Sequence, residues 1–389
     1  MTTTSTATQR GVFASFATIR TLTNIFVGSV ALMFAMTATA DILGTTGTSP
    51  NGIAIDADGN VYTANAGSNN VSKITPDGTS SILAATGTSP SGIATDAAGN
   101  VYTSNANSSN VSKITPDGTS VILGTTGTTP RGIAIDAANG NVYTANAGSN
   151  NVSKITPDGT SSILAATGTR PIGIAIDEAG NVYTANNGSS NVSKITPDGT
   201  SSIFATTGIG TAGIVLDAAN GNVYTANNGS SNVSKITPDG TSSILGTTGA
   251  NPRGIVLDTA GNVYTSNNGL NNVSKITPDG TPSILAATGT NPLGILLDAA
   301  GNVYTANQGS NNVSKILAPV APAPAAATPV PVGPIWLLGM MSGLLSLVAV
   351  RKLRKAGVSL LEYGNTQRLL WGPFCLQTFS DLYPTRCGR

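Results

Sequence analysis

One carboxylate returns at the same place in every copy of a 40- or 41-residue repeat: Asp56, Asp96, Asp136, Asp177, Asp217, Asp258 and Asp298. Seven inward-facing carboxylates would suit a metal ring. An Asp that ends a strand and caps the next turn through its own backbone explains them with less. Asp56-Ala57-Asp58-Gly59-Asn60 mimics the start of a calcium loop, but it lacks the distal Glu and carries both Asp in one copy only. Asn70-Val71-Ser72 and its six equivalents fit the N-glycosylation acceptor pattern. The same triplet opens a strand in every copy, so it reads as framework. Lys73, Lys113, Lys154, Lys194, Lys235, Lys275 and Lys315 read as solvated side chains on a polar strand face, where ion pairs contribute little. None of these positions is assigned a metal, another cofactor or a catalytic role.

The elements that carry them are legible in the first copy. Gly52–Asp56 alternates with the two-residue period of a half-buried strand. Asp58-Gly59-Asn60 is a hairpin turn, and Val61–Asn65 is a return strand rich in β-branched and aromatic residues. A loop, Ala66–Asn70, leads to a third strand, Val71–Thr75. The turn Pro76–Thr79 then leads to a fourth, Ser81–Ala84. Four antiparallel strands per repeat make one propeller blade, and a period near 40 is the propeller period. The expected fold is all-β, a seven-bladed propeller of four-stranded antiparallel blades over residues 41–317. The chain enters on an outer-type strand at Asp41–Gly44 and leaves after a third-type strand at Val313–Leu317. Pairing Ile42-Leu43 beside Val313–Ile316 would close the ring and hide its edges.

Chemistry particular to this chain must sit where the copies differ. The position before the first strand reads Asn51, Ser91, Arg131, Ile172, Ala212, Arg253 and Leu293, with Arg170, Asn251 and Asn291 just upstream. The loop after the second strand contributes Ala66, Ala106, Ala147, Asn187, Asn228, Asn268 and Gln308. Both sets fall on one face of a propeller. Arg131, Arg170, Arg253, Asn51, Asn187, Asn228, Asn268 and Gln308 are therefore the candidate ligand-binding residues. Guanidinium and amide donors suit a polar or anionic ligand such as a sugar. Unselected drift of exposed loops is the competing explanation.

Charge narrows the partners. The repeats hold seven Lys and three Arg against fifteen Asp and one Glu, an acidic balance that excludes nucleic acid as a partner. The chain has no His, and its two Cys, Cys375 and Cys387, lie beyond the repeats. The commonest general base is thus absent and a disulfide framework is excluded from the ring.

The pattern PxGIAIDxxGNVYTAN…NNVSKITPDGT resembles the NHL-repeat propellers. It is also similar to the streptogramin (virginiamycin B) lyase and gluconolactonase-like propellers, and more loosely to YVTN-type surface-layer propellers. The lyase resemblance implies a His and a Glu acting with a metal ion. Here His is absent and Glu178 is the only Glu in the ring, so no catalytic residue carries over. The gluconolactonase resemblance implies a central Glu/Asn/Asp metal cluster, which near-sevenfold repetition leaves without a unique position.

The ends differ in character. Arg10 and Arg20 precede an apolar run, Ile25–Met36, and Ala38-Thr39-Ala40. Residues 1–40 read as an export signal cut after Ala40, with an uncleaved anchor as the alternative. Residues 318–334 are a Pro/Ala linker. Residues 335–355 combine the apolar Ile335–Val350 with the basic Arg351-Lys352-Leu353-Arg354-Lys355, a transmembrane anchor with a cytoplasmic stop. The segment around Val330–Lys355 resembles C-terminal sorting signals of the PEP-CTERM type, though the PEP tripeptide itself is absent. A plain single-span anchor remains the alternative. Residues 356–389 read as a disordered tail or a reading-frame artefact.

Together these features predict an exported, monomeric propeller at the cell surface or the periplasmic side of the membrane. It is held by its C-terminal helix or released by a sorting cut. The expected role is a non-catalytic binding or scaffold module for a polysaccharide or envelope protein. The alternative is a lyase or lactonase-like hydrolase.

Overall fold

The computed structural model describes residues 40–318, and these form twenty-eight short strands. The expected export signal, linker, membrane span and tail lie outside the described residues, Ala40 and Ala318 excepted. Strand β1 is Asp41–Thr45. Blade 1 follows as β2 (Pro50–Ile55), β3 (Val61–Asn65), β4 (Asn70–Ile74) and β5 (Ser80–Ala85). Strands β6–β25 repeat that set five times across residues 90–287, as blades 2 to 6. Strands β26 (Pro292–Leu297), β27 (Val303–Asn307) and β28 (Asn312–Ile316) end the ring.

The topology is seven four-stranded sheets, six in simple meander order. The seventh runs β1-β28-β27-β26, so the first described strand completes the last blade. Ile42 pairs with Ser314 and Thr45 with Asn312, antiparallel. The clasp extends into side chains, because the Ser49 amide donates to Asn311 Oδ1 at 2.8 Å. The expected closure is the observed one.

The core is divided into seven seams between blades. Tyr62, Ala64 and Val71 of blade 1 pack against Ile93, Val101 and Ile114 of blade 2. Equivalent clusters follow around the ring, and Leu296, Tyr304 and Val313 of blade 7 meet Val61 and Ile74 of blade 1. The second and third strands supply most of the fully buried residues, since each is covered on both faces by neighbouring blades.

The innermost strands approach closely through glycine. A Cβ on Gly52 would lie 2.7 Å from the Ser91 carbonyl oxygen, and one on Gly213 would lie 2.5 Å from that of Arg253. The series ends with Gly294 against Asn51, 2.8 Å away. The glycine that opens each GIAI-type motif is what lets seven inner strands meet.

The outer strands of the six meander blades carry no charge in their sequences. Each outer strand leaves one isoleucine about half exposed, as Ile82 and Ile163 do. Such edges invite pairing with other chains. Every third-to-fourth strand pair contains a register shift, between Val71 and Ser72 in blade 1. A bulge of this kind twists the edge away from a flat partner.

Candidate binding site

The repeated Asp cap hairpins, as their framework reading expects. Asp56 Oδ1 accepts the amides of Asp58 (3.0 Å) and Asn60 (2.8 Å), while Oδ2 accepts Asn60 Nδ2 and the Tyr62 hydroxyl, both at 2.8 Å. Burial pushes this carboxyl up, but the bonds from Asn60, Tyr62 and the backbone outweigh it and hold it below the usual carboxylate range. The Tyr62 hydroxyl is in turn raised, by burial first and then by its bond to Asp56 and that carboxylate's charge.

Blades 3 and 5 depart from this scheme because their hairpins are one residue longer. Asn139 inserts itself, donating to Asp136 Oδ2 at 2.6 Å and accepting the Asn141 amide at 2.9 Å. Asn220 does the same beside Asp217. Among the described residues no three His, Cys, Asp or Glu side chains cluster as a metal site requires.

The Asn-Val-Ser triplet is also wired into the framework. Asn70 Oδ1 accepts Asn65 Nδ2 (2.8 Å) and Ser68 Oγ (3.0 Å), and Ser72 Oγ accepts the Gly47 amide at 2.9 Å. The lysines need a correction. They are half-buried rather than freely solvated, because the register sets Tyr62 opposite Lys73. In five blades the ammonium sits 5.3–5.8 Å from the tyrosine ring centroid, a cation–π distance.

The variable positions converge on one cavity of about 480 Å³, to which all seven innermost strands contribute wall. Asn51, Arg131, Arg170, Arg253, Asn268 and Gln308 line it, joined by Ser91, Ile172, Ala212, Asn291 and Leu293. Asn187 and Asn228, the other two candidates, are not among the lining residues. Asn228 Oδ1 leans over Gly210, where it would lie 2.4 Å from an added Cβ. Asn187 Nδ2 is buried without a hydrogen-bond partner among the described residues.

The cavity is cationic, and among the described residues no carboxylate lines it. Burial lowers the Arg253 guanidinium, and the charges of Arg170 and Arg131 lower it further. Arg131 is lowered by burial and then by Arg170. Arg253 Nε is buried and has no partner among the described residues. A buried donor left unmade is costly, and a ligand acceptor would satisfy it.

Two supports were not singled out from the sequence. Ser104 Oγ accepts the Gly92 amide at 3.0 Å and donates to the Arg131 carbonyl at 2.7 Å, fixing the backbone that presents Arg131. Ser266 links Gly254 to the Leu293 carbonyl in the same way. The signal was the change from VYTAN to VYTSN in those two copies. The cavity-wall glycines were equally visible, as residues unvaried in all seven copies.

The virginiamycin B lyase family profile matches residues 32–205. Virginiamycin B lyase from Staphylococcus aureus superposes with a TM-score of 0.62 at 17% identity, over 70% of this chain and 95% of that one. The ring shares the β-propeller fold of that enzyme. Kuenenia stuttgartiensis hydrazine synthase gives a TM-score of 0.60 at 20% identity, over 73% of this chain and 98% of that one. A gluconolactonase from Xanthomonas campestris gives 0.50 at 15% identity, over 72% and 89%. No curated protein sequence matches the chain. At these identities the structural likeness is one of fold.

The cavity does not carry the donor set of a metal site. Three guanidiniums, amides and apolar side chains face the space where a cation would need carboxylates or imidazoles. These residues do not fit a resident metal ion, and no metal-assisted step follows from them.

Proposed function

We propose that this protein is an exported, membrane-anchored propeller that binds a polysaccharide through its central cavity without transforming it. The observation that carries the reading is the composition of the cavity wall. Amides, one hydroxyl and three guanidiniums offer donors to sugar hydroxyls and anionic groups. None of those side chains is a general base with a perturbed pKa near neutrality, as proton transfer would need.

The sequence features at residues 1–40 and 335–355 motivate the placement outside the membrane. A glycan array probed with the full-length chain tests the binding. Selective retention of one polysaccharide class, unaltered in length afterwards, supports the reading. Retention of none leaves a protein-binding scaffold.

The runner-up is a lyase or lactonase-like hydrolase, favoured by the family match over residues 32–205. Chelator-sensitive turnover of a lactone or a cyclic depsipeptide would establish it in place of the binding role.

A further inference from the structure

The cavity is polarised around the ring. Arg131 opens blade 3 and Arg170 precedes blade 4, so two guanidiniums share one side. Asn268, Asn291, Gln308 and Asn51 come from blades 6, 7 and 1, so the amides occupy an opposing arc. Arg253, on blade 6, borders the amide arc and still feels the charges of both other arginines. Between the two sides lie Ile172 and Ala212, which offer an apolar stretch.

Three guanidiniums without a lining carboxylate are charge-deficient on the anionic side. The ring as a whole carries the opposite balance, so this is a local cationic site within an acidic body. The unpartnered buried Nε of Arg253 is an independent sign that an acceptor is missing. An amide arc beside the arginines accommodates hydroxyls, which a bare phosphate or sulfate would not supply.

We propose that Arg131, Arg170 and Arg253 form an anion subsite that holds the carboxylates of a uronate-containing oligosaccharide. The amides of Asn51, Asn268 and Gln308 bind its hydroxyls. This rests on the saccharide-binding reading and narrows it to an acidic chain. Each planar guanidinium matches a carboxylate edge with two parallel donors. Arg170 stands at φ +55, where the equivalent residues Asn251 and Asn291 have φ +54 and +53. Arg170→Asn therefore copies a residue that this backbone already accepts. Arg253→Leu likewise copies Leu293 of blade 7.

The test is calorimetric titration of the full-length chain with a defined oligogalacturonate. Its carboxyl-reduced neutral counterpart and inorganic phosphate serve as separate arms. The expected result is binding of the oligogalacturonate that weakens with salt, with the neutral counterpart at least about tenfold weaker. Arg170→Asn and Arg253→Leu should each reduce affinity by a similar factor, with unchanged circular dichroism. Equal binding of the acidic and neutral chains overturns the anion subsite and leaves saccharide binding standing. Binding of phosphate as tight as that of the oligogalacturonate overturns the uronate assignment. Binding of neither saccharide overturns both readings.

Discussion

Arg170 precedes blade 4 and Arg253 opens blade 6, yet both line one cavity, where burial and then the charge of Arg170 lower the Arg253 guanidinium. The ring brings two distant loops into one cavity and sets like charges against each other there. Neither local sequence reports this relationship; it follows from the repeat, which puts both loops on one face of the ring.

Arg253→Leu should stabilise the free protein. It removes a half-buried guanidinium, an unpartnered Nε and a like-charge repulsion. A gain of about 0.5–2 kcal/mol is the usual scale for relieving such a site. Urea denaturation measures it, and a loss of stability would mean that Arg253 makes favourable contacts within the ring.

The Tyr–Asp bonds should contribute unequally between blades. The Tyr102 hydroxyl donates to Asp96 Oδ2 at 2.9 Å, whereas Asn139 occupies the equivalent Asp136 oxygen in blade 3. Tyr102→Phe should cost about 1.5–3 kcal/mol, the scale for a hydrogen bond to a charged group. Tyr143→Phe should cost measurably less. Equal losses by chemical denaturation would show that the carboxylate is not the partner that matters.

Acid should weaken the ring through its capping carboxyls. In Asp56, Asp96, Asp258 and Asp298 burial raises the carboxyl, but hydrogen bonds from the following Asn, the Tyr and the backbone more than compensate. The folded values therefore lie below the unfolded ones. Their stabilisation is complete above the unfolded carboxyl value of about 3.9 and is lost as the pH falls through the lower folded values. Denaturation midpoints should be level in this respect from neutrality to about pH 5 and fall below about pH 4. An unchanged midpoint at about pH 2 would contradict the capping account.

Gly213→Ala should strain the inner ring. The added methyl would meet the Arg253 carbonyl oxygen at 2.5 Å, and backbone cannot yield as a flexible side chain can. Overpacking of this kind costs about 1–3 kcal/mol. A thermal melt reads the cost, and a neutral result would show that the inner strands have room to separate.

The fold was legible because repetition and strand alternation agreed seven times over. Val61–Asn65 was delimited to the residue, and the phase of the repeat located the β1–β28 clasp. Tertiary contacts explain what was missed. Asn187, Asn228 and Asn268 follow the same VYTxN strand, yet only Asn268 lines the cavity. The turn bonded to each loop, at Arg170, Gly210 or Asn251, differs between blades, and no local pattern in the loop itself tells the three amides apart. The lysines were misread because solvation was inferred from charge alone, while the register that sets Lys73 across Tyr62 was not followed through. The bulge in each outer pair also left no local mark in the alternation.

On the reading proposed above, the cavity binds an acidic saccharide as a ligand and not as a substrate. A crystal structure of the ring with an oligogalacturonate bound tests it most directly. The account predicts an intact saccharide in the cavity, with carboxylate oxygens within hydrogen-bond distance of Arg131, Arg170 or Arg253. A saccharide seated on the outer strands with the cavity empty, or a cleaved product in its place, would contradict it.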